Sequence, residues 1–517
     1  MLAINIPADG IFMALQKEIN GDFSKEHCTC IVQKYLDRFL SADPDTVLIN
    51  VCYRRCLTPS AVFDSFLYDV ETGEDGIVKR DASGQTIRKL SPTTDAPVSP
   101  YFMSFLHCAR ELMRRGIDVF EIATRYVRRA GKRVFLSVRM NDAHYAENPA
   151  INSSFSFQNG CEHTLDRRGQ FFDFSQTAVQ NYYCAYIEEL VQTYDVDGIE
   201  LDWLRYPTVL PEDRRGDPSI LSAYMKRLHG VIRESNPDAL VAVRVLAEEA
   251  QNLAYGLDAA GWVAEGLVDQ LTVENSYVPA NFEIPVAEWR ASIAKKSACK
   301  PSYSLLCGTD WAVSCVKNYN VPMNPALVRG FVHECLARGT DGIYLFNFFE
   351  EINRKSLELT YGEDGSLLLR DCFLARMHAA NEPDGLPRRC VHIGATTARY
   401  PIPLAPKECY ALHHTVKPPF ARCQLVFGLD SDAGVALRLN GCLIEGVEKM
   451  TVHSGFEYVP ASRVEDLHSI HAITQAAPHV YAADLPIPSG ERVECTVEIE
   501  NKSDLLMHLL WIEFDLS

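Results

Sequence analysis

The first two thirds of the chain alternate short apolar runs with segments whose apolar residues recur at helical intervals. Ile31, Tyr35 and Phe39, for example, are spaced as on one buried face of a helix. Strands that alternate with helices predict an α/β fold with a parallel sheet, and eight such strands predict a closed (β/α)8 TIM barrel. The predicted strands cover residues 2–7, 46–53, 133–140, 199–203, 239–246, 268–274, 301–306 and 341–348.

The pattern changes near the turn Glu382-Pro383-Asp384-Gly385, where the helical periodicity ends. Beyond it, Asn440-Gly441 is the dipeptide that favours a type I′ hairpin turn. We therefore predict two domains, a (β/α)8 barrel over residues 1–384 and an all-β sandwich over residues 385–517. The short alternating runs that indicate strands in the second domain are residues 423–428, 434–439, 496–500 and 509–514.

Composition narrows the class of protein. The 517 residues carry a formal charge of −18, which argues against a nucleic-acid partner because phosphate binding needs a basic face. The 17 cysteines lack paired zinc-ligand spacing, which favours a reduced, cytoplasmic protein. No basic segment with an apolar core opens the chain, and no apolar run has membrane-spanning length. We expect neither a membrane partner nor a signal peptide in this chain. The sequence leaves undecided whether the protein forms a homo-oligomer.

The fourth predicted strand carries two acids. It lies in the stretch V-D-G-I-E-L-D-W-L-R-Y-P, in which Glu200 and Asp202 point to the same face because side chains alternate along a strand. An acid inside an apolar strand is either paired or used. At the C-terminal end of a barrel strand, Asp202 is placed as catalytic residues are.

This stretch resembles the fourth-strand motif D-G-I-x-L-D-x-x-R-Y-P of glycosyl-hydrolase-like (β/α)8 barrels of bacteria. It is also similar to the chitinase signature D-G-[IL]-D-[IL]-D-W-E, but the chitinase general acid would fall at Leu204. The first resemblance implies a glycoside hydrolase acting in carbohydrate breakdown, with Asp202 and Arg205 in its site. The departure at Leu204 argues against a mechanism assisted by the substrate's acetamido group.

Other predicted strands also end in polar side chains, and such groups converge on one rim of a barrel. We expect Tyr277 and Trp311, in loops, to stack on sugar faces. Glu200, one pleat deeper than Asp202, is expected to pair with Arg139 or Arg244 and hold the site. The predicted substrate-binding residues are Asn50, Arg54, Arg139, Asn141, Asp142, His144, Glu200, Arg205, Arg244, Tyr277, Trp311 and Asn347.

Cleavage of a glycosidic bond needs two carboxyl groups. Asp202 is the expected nucleophile, and Glu274, at the end of the sixth strand, is the expected acid and base. Glu274 has the simpler alternative of capping a helix, and Asp310 or Glu350 would then supply the acid. A narrow barrel mouth would hold the pair at a retaining separation, so we expect retention of anomeric configuration.

Two alternatives remain at this stage. Asn141, Asp142 and His144 could form a metal corner, and the protein would then be a metal-dependent lyase or hydrolase. A non-catalytic carbohydrate-binding protein is the other alternative, although both Asp202 and Glu274 are ionisable. We expect no cofactor and no catalytic metal, so activity should survive chelation. The loops 55–100 and 141–173 are expected to border and narrow the pocket.

Overall fold

The structure is a computed structural model of the chain. It divides into two compact units, the first made of Met1–Ser276, Pro285–Gly308 and Tyr344–Asn347 and the second of the other residues. The predicted domain boundary at residue 384 lies outside the described residues and stays a prediction. The structure describes residues 1–91, 100–144, 146, 148, 151–160, 163–165, 169–275, 280–310, 312–316, 319–346, 348, 376–382, 387–392, 401–416, 420–432, 434–450, 479–486, 490 and 493–517.

The eight strands predicted from the apolar runs are all present, and they form a closed barrel. Its order is β1-β12-β9-β8-β7-β6-β5-β2, which confirms the TIM barrel. The described elements as far as residue 345 are β1 (Leu2–Ile6), α1 (Ala8–Glu18), α2 (Lys25–Leu40), β2 (Thr46–Asn50), β3 (Tyr68–Val70), β4 (Arg88–Leu90), α3 (Pro100–Arg114), α4 (Val119–Arg129), β5 (Arg133–Arg139), α5 (Thr177–Thr193), β6 (Gly198–Asp202), α6 (Pro218–Ser235), β7 (Leu240–Leu246), α7 (Glu249–Ala254), α8 (Ala259–Ala264), β8 (Gln270–Glu274), α9 (Val286–Lys296), β9 (Ser304–Thr309), β10 (Ala312–Val316), β11 (Tyr319–Pro322), α10 (Pro325–Ala337) and β12 (Gly342–Leu345).

The barrel interior is a packed core. Side chains from different strands meet there, so the interior is filled and chemistry is left to the rim where the strands end. None of the described helices has the length and apolarity that a bilayer crossing requires. The core cluster consists of Ala3, Leu48, Phe135, Ala242, Leu306, Tyr344 and Phe346.

The register of the parallel strands places charged residues side by side at the C-terminal end. Asp202 of β6 lies directly opposite Arg139 of β5 and Arg244 of β7. On β8, Thr272 lies opposite Arg244, and Glu274 lies two residues further along. Residues two apart on a strand share a face, so Glu274 stands one step nearer the rim than Arg244.

The described part of the chain after residue 387 is all-β, as predicted, and forms two antiparallel sheets. One has the order β13-β22-β16-β20-β19 with β14 beside β22, and the other has the order β15-β21-β17-β18. Asn440 and Gly441 have φ values of 50° and 80° between β17 and β18, which confirms the hairpin turn. The described strands are β13 (Arg388–His392), β14 (Ile402–Leu404), β15 (Cys409–Val416), β16 (Cys423–Leu429), β17 (Val435–Leu439), β18 (Cys442–Ile444), β19 (Glu448–Met450), β20 (His479–Leu485), β21 (Val493–Asn501) and β22 (Met507–Leu516).

The described parts of the two long loops that follow β2 and β5 are bonded to each other. Asp64 accepts hydrogen bonds of 2.8 Å from the hydroxyls of both Ser153 and Ser154. Arg55 donates from Nε to the carbonyl oxygen of Asn152 at 2.9 Å. These buried contacts give the loops fixed positions beside the strand ends from which they leave.

Candidate active site

Arg244 joins the two carboxyl groups that the sequence singled out. Its Nη1 lies 3.1 Å from Oδ2 of Asp202, and its Nε lies 2.8 Å from Oε2 of Glu274. The guanidinium also sits 3.7 Å from the ring centroid of Phe346, a cation–π contact. All three charged side chains are 2–3% exposed. The structure therefore brings Asp202 and Glu274 to one place, with a positive charge between them.

Asp202 is fixed by its second oxygen as well. Oδ1 accepts hydrogen bonds from the backbone N–H groups of Leu204 at 3.1 Å and Arg205 at 3.2 Å. The turn after β6 creates these donors because the chain leaves the strand at that point. The backbone donors and the Arg244 guanidinium together fix the orientation of both carboxylate oxygens.

The position of the Glu274 side chain depends on a glycine on the neighbouring strand. A Cβ atom on Gly308 would lie 2.3 Å from Oε2 and 2.7 Å from Cβ of Glu274. Real Cβ atoms do not approach so closely, and hence any larger residue at 308 would displace Glu274. The residue type at position 308 is thus part of the site's geometry.

A second cluster of charged side chains lies around His144. Arg139 Nη1 lies 2.7 Å from Oδ2 of Asp142, whose Oδ1 lies 2.7 Å from Nδ1 of His144. Nε2 of His144 lies 2.8 Å from Nη2 of Arg205. Arginine is always a donor, so Nε2 accepts, and the ring proton is on Nδ1 facing Asp142. The His144 side chain is 26% exposed and can reach a ligand.

These contacts argue against the alternative that Asn141, Asp142 and His144 form a metal site. Burial opposes the charge of Asp142, but the neighbouring His144 and Arg139 outweigh it and hold the pKa of this carboxyl far below its ordinary value. Both oxygens of Asp142 and both nitrogens of His144 already have partners. A cation there would face two guanidinium groups, and we assign Asp142 and His144 no metal.

The expected ion pair of Glu200 with Arg139 or Arg244 is wrong. Arg139 turns to Asp142, and Arg244 turns to Asp202 and Glu274. Oε1 of Glu200 instead accepts hydrogen bonds from Ser137 at 2.7 Å and Tyr344 at 2.9 Å. Both donors are neutral, so no cation is hydrogen-bonded to the deeper carboxyl of β6 in the described residues.

Three of the predicted substrate-binding residues lie in the wall around the site. Arg54 is fully buried and donates to Oδ1 of Asn141 at 3.1 Å and to the carbonyl of Gly169 at 3.0 Å. Asn141 in turn donates to the carbonyl of Thr208 at 2.7 Å. In the orientation that satisfies both atoms of its amide, Asn50 donates to the carbonyl of Cys52 at 3.1 Å and accepts from Nε of Arg139 at 3.3 Å. These side chains position loops, and we interpret them as supports.

Some predicted residues lie outside the described part of the chain, namely Tyr277, Trp311, Asn347 and Glu350. Asp310 is described, follows β9 directly and is buried. Sequence reasoning missed Ser137, Tyr344 and Phe346. Their signal was the alternation along β5 and β12, which places Ser137 and Tyr344 on inward faces.

Comparison with known proteins identifies no family for the chain. No protein-family model matches it, and no curated protein matches it. Solved structures with a similar fold include an α-L-fucosidase from Lactobacillus casei bound to α-L-fucose, at 12% identity and a TM-score of 0.35 over 74% of this chain and 97% of that chain.

Two further solved structures give similar values. The glycoside hydrolase domain of PgaB from Bordetella bronchiseptica is 12% identical, with a TM-score of 0.35 over 66% of this chain and 93% of that one. α-L-Fucosidase isoenzyme 1 from Paenibacillus thiaminolyticus is 13% identical, with a TM-score of 0.35 over 97% of this chain and 96% of that one. All three of these structures are glycoside hydrolases or domains of one.

Proposed function

We propose that the protein is a glycoside hydrolase that cleaves an O-glycosidic bond of a carbohydrate at the C-terminal rim of its barrel. One observation carries the proposal: Asp202 and Glu274, at the ends of β6 and β8, both contact Arg244. Two carboxyl groups brought together at a barrel rim are the groups that this reaction requires.

Asp202 is the nucleophile in this proposal. Its oxygen attacks the anomeric carbon while the bond to the leaving oxygen breaks, and Glu274 gives its proton to that oxygen. Water then adds its hydroxyl to the anomeric carbon and its proton to Glu274, which frees Asp202. The two displacements retain the anomeric configuration.

Arg244 sets a condition on this mechanism. A carboxyl group beside a guanidinium favours its charged form, so Glu274 has to move away from Nε of Arg244 before it carries the proton. A substrate hydroxyl that accepts from Nε would take the place of Oε2. Arg244 meanwhile keeps its contact with Asp202 and positions the nucleophile. The partly exposed His144 and Arg205 offer polar contacts to the other hydroxyl groups of the sugar.

The test is a panel of aryl glycosides in both anomeric forms, assayed with the full-length protein. Asp202→Asn should lose nearly all activity on every substrate that the protein cleaves. Glu274→Gln should keep more activity on substrates with good leaving groups, and azide should rescue it as a glycosyl azide. Glu265→Gln is the control, because Glu265 forms a surface ion pair with Lys226.

The anomeric configuration of the product tests whether Asp202 acts as a nucleophile. Retention in the NMR spectrum of the first product supports Asp202 as a nucleophile. Inversion would overturn that role, and Asp202 would then be a base toward water. Activity of Asp202→Asn equal to that of Glu265→Gln, in a panel on which the wild-type protein acts, would overturn the site itself.

A further inference from the structure

Three buried side chains of the second unit come together although they lie far apart in the sequence. They are Glu334 on α10, Cys390 on β13 and His414 on β15, with exposures of 5%, 1% and 4%. Oε1 of Glu334 lies 3.8 Å from Sγ of Cys390 and 3.8 Å from Nε2 of His414. One ligand atom from each residue lies within 4.8 Å of the other two.

We propose that Glu334, Cys390 and His414 bind a structural zinc ion, distinct from the carboxyl pair of the barrel. Thiolate, imidazole and carboxylate are the zinc ligands of proteins. A tetrahedral zinc about 2.0–2.1 Å from N and O and about 2.3 Å from S holds its ligand atoms about 3.3–3.6 Å apart. The two distances of 3.8 Å from Glu334 are close to this range, and the third pair of ligand atoms lies within 4.8 Å, so side-chain movements of about 1 Å would bring the three residues into three of the four tetrahedral positions.

The orientation of His414 is set by a second histidine. Nε2 of His392 lies 3.1 Å from Nδ1 of His414, and Nδ1 of His392 lies 3.3 Å from a carboxylate oxygen of Glu283. The carboxylate favours a proton on the near nitrogen of His392, whose Nε2 then accepts from Nδ1 of His414. Nε2 of His414 is then unprotonated and carries a lone pair. A hydrogen bond from the second ring nitrogen to an acceptor is the usual outer support of a zinc-binding histidine, and here Nε2 of His392 is that acceptor.

That lone pair needs a partner. Among the described residues, Nε2 of His414 has no hydrogen-bond partner, although it is buried. Burying a polar nitrogen without a hydrogen bond is unfavourable. Nε2 and the carboxylate of Glu334 are both acceptors in this arrangement, and a cation between them satisfies both at once.

The backbone is shaped to bring the ligands together. A Cβ atom on Gly330 would lie 2.0 Å from the carbonyl oxygen of Arg389, so only glycine lets α10 approach β13 this closely. Gly330 and Glu334 are four residues apart and share a face of the helix. Arg389 directly precedes Cys390. The close approach therefore carries Glu334 to the sulfur of Cys390.

Zinc binds the thiolate of cysteine, so binding a zinc ion here has to displace the proton of the Cys390 thiol. Without a metal, the same three residues would form only a weak thiol-to-carboxylate hydrogen bond.

The experiment uses the full-length protein. Metal is removed with a chelator, the protein is dialysed against zinc and then against buffer, and bound zinc is measured. We expect one zinc per chain in the wild type and in Cys423→Ser, the control, since Cys423 is a buried strand cysteine outside the cluster. Cys390→Ser and His414→Asn should lose the zinc. His392→Gln should bind it about 10–100-fold more weakly.

Cobalt gives a second, spectroscopic readout. Cobalt bound in place of zinc should show the absorption of a tetrahedral ion together with a thiolate-to-cobalt charge-transfer band, and Cys390→Ser should lose that band. The proposal is overturned if the wild type retains no metal and shows no such band. It is also overturned if folded Cys390→Ser retains as much zinc as Cys423→Ser. If a variant fails to fold, the wild-type stoichiometry and spectrum decide.

Discussion

Glu200 is a carboxyl group whose charge the barrel disfavours. It is completely buried, and both of its hydrogen-bond donors are neutral. Burial, with a contribution from the negative charge of Asp202, raises its pKa from 4.5 to about 7. Near neutral pH the group is therefore divided between its charged and its protonated forms, whereas in the unfolded chain it is charged.

This shift makes the stability of the protein fall as the pH rises. Between pH 4.5 and about 7 the native state holds a proton that the unfolded state has lost. The free energy of unfolding therefore decreases through this window, by an amount on the order of 3 kcal/mol. Glu200→Gln removes the titration. Relative to wild type, this variant should gain about 3 kcal/mol between pH 5 and pH 8, measured by urea unfolding.

The control for this prediction is Glu188→Gln, because Glu188 is an exposed carboxyl group on α5. The free energy of unfolding of Glu188→Gln should change with pH as that of the wild type does. If Glu200→Gln follows that profile too, Glu200 titrates at its ordinary value and the prediction is wrong.

The sequence predicted where the charged residues of the site lie, but not how they pair. The strand pattern gave Asp202, Glu274 and Arg244 as residues at strand ends. Their partners depend on the register between β6, β7 and β8, which follows from the stagger of the closed barrel. Tyr344, on the last barrel strand, is likewise brought to Glu200 only when the barrel closes.

At the scale of elements, the hairpin of β3 and β4 packs on α5 through its turn. Gly76 has a φ of 77°, and a Cβ atom there would lie 2.0 Å from the carbonyl oxygen of Ala178. Asn181 donates to the carbonyl oxygen of Asp75 at 2.7 Å. Gly84, further along the same hairpin, has a φ of 84° but has no atom within 4 Å of its Cβ position.

Replacing each of these two glycines by alanine distinguishes the stability cost of backbone strain from the cost of a packing clash. Gly84→Ala should cost about 1–2 kcal/mol, the strain of a side chain at positive φ. Gly76→Ala should cost about 1–3 kcal/mol more, because it also clashes with the backbone of α5. Urea unfolding measures the difference, and limited proteolysis within residues 73–88 should be faster for Gly76→Ala. Equal effects of the two substitutions would mean that the turn does not depend on α5.

The elements that the sequence predicted well are those with a repeating pattern. The barrel strands are buried and apolar, and the C-terminal strands alternate, so each left a signal in its own residues. The β3–β4 hairpin was expected to be an irregular loop, because its exposed residues carry no period. Glu334, Cys390 and His414 lacked any motif spacing, since their meeting depends on the packing of α10 against β13.

At the scale of the whole molecule, the two proposed sites belong to different compact units. Asp202, Arg244 and Glu274 are in the first unit, and Glu334, Cys390 and His414 are in the second. In the proposed mechanism, the first site acts through its two carboxyl groups. The second uses a metal to hold a helix and two strands together. Removing the metal should therefore act on stability and leave the chemistry unchanged.

We predict that a chelator lowers the melting temperature of the full-length protein but leaves kcat unchanged below that temperature. A ligand present at about 100 times its Kd stabilises the native state by about 2.7 kcal/mol. For a domain of about 150–250 residues this is a shift of several degrees. Added zinc should restore the melting temperature of the wild type but not that of Cys390→Ser. Loss of activity on chelation at a temperature where the protein stays folded, with recovery on adding zinc, would place a metal at the carboxyl pair and contradict the hydrolytic mechanism proposed for Asp202 and Glu274.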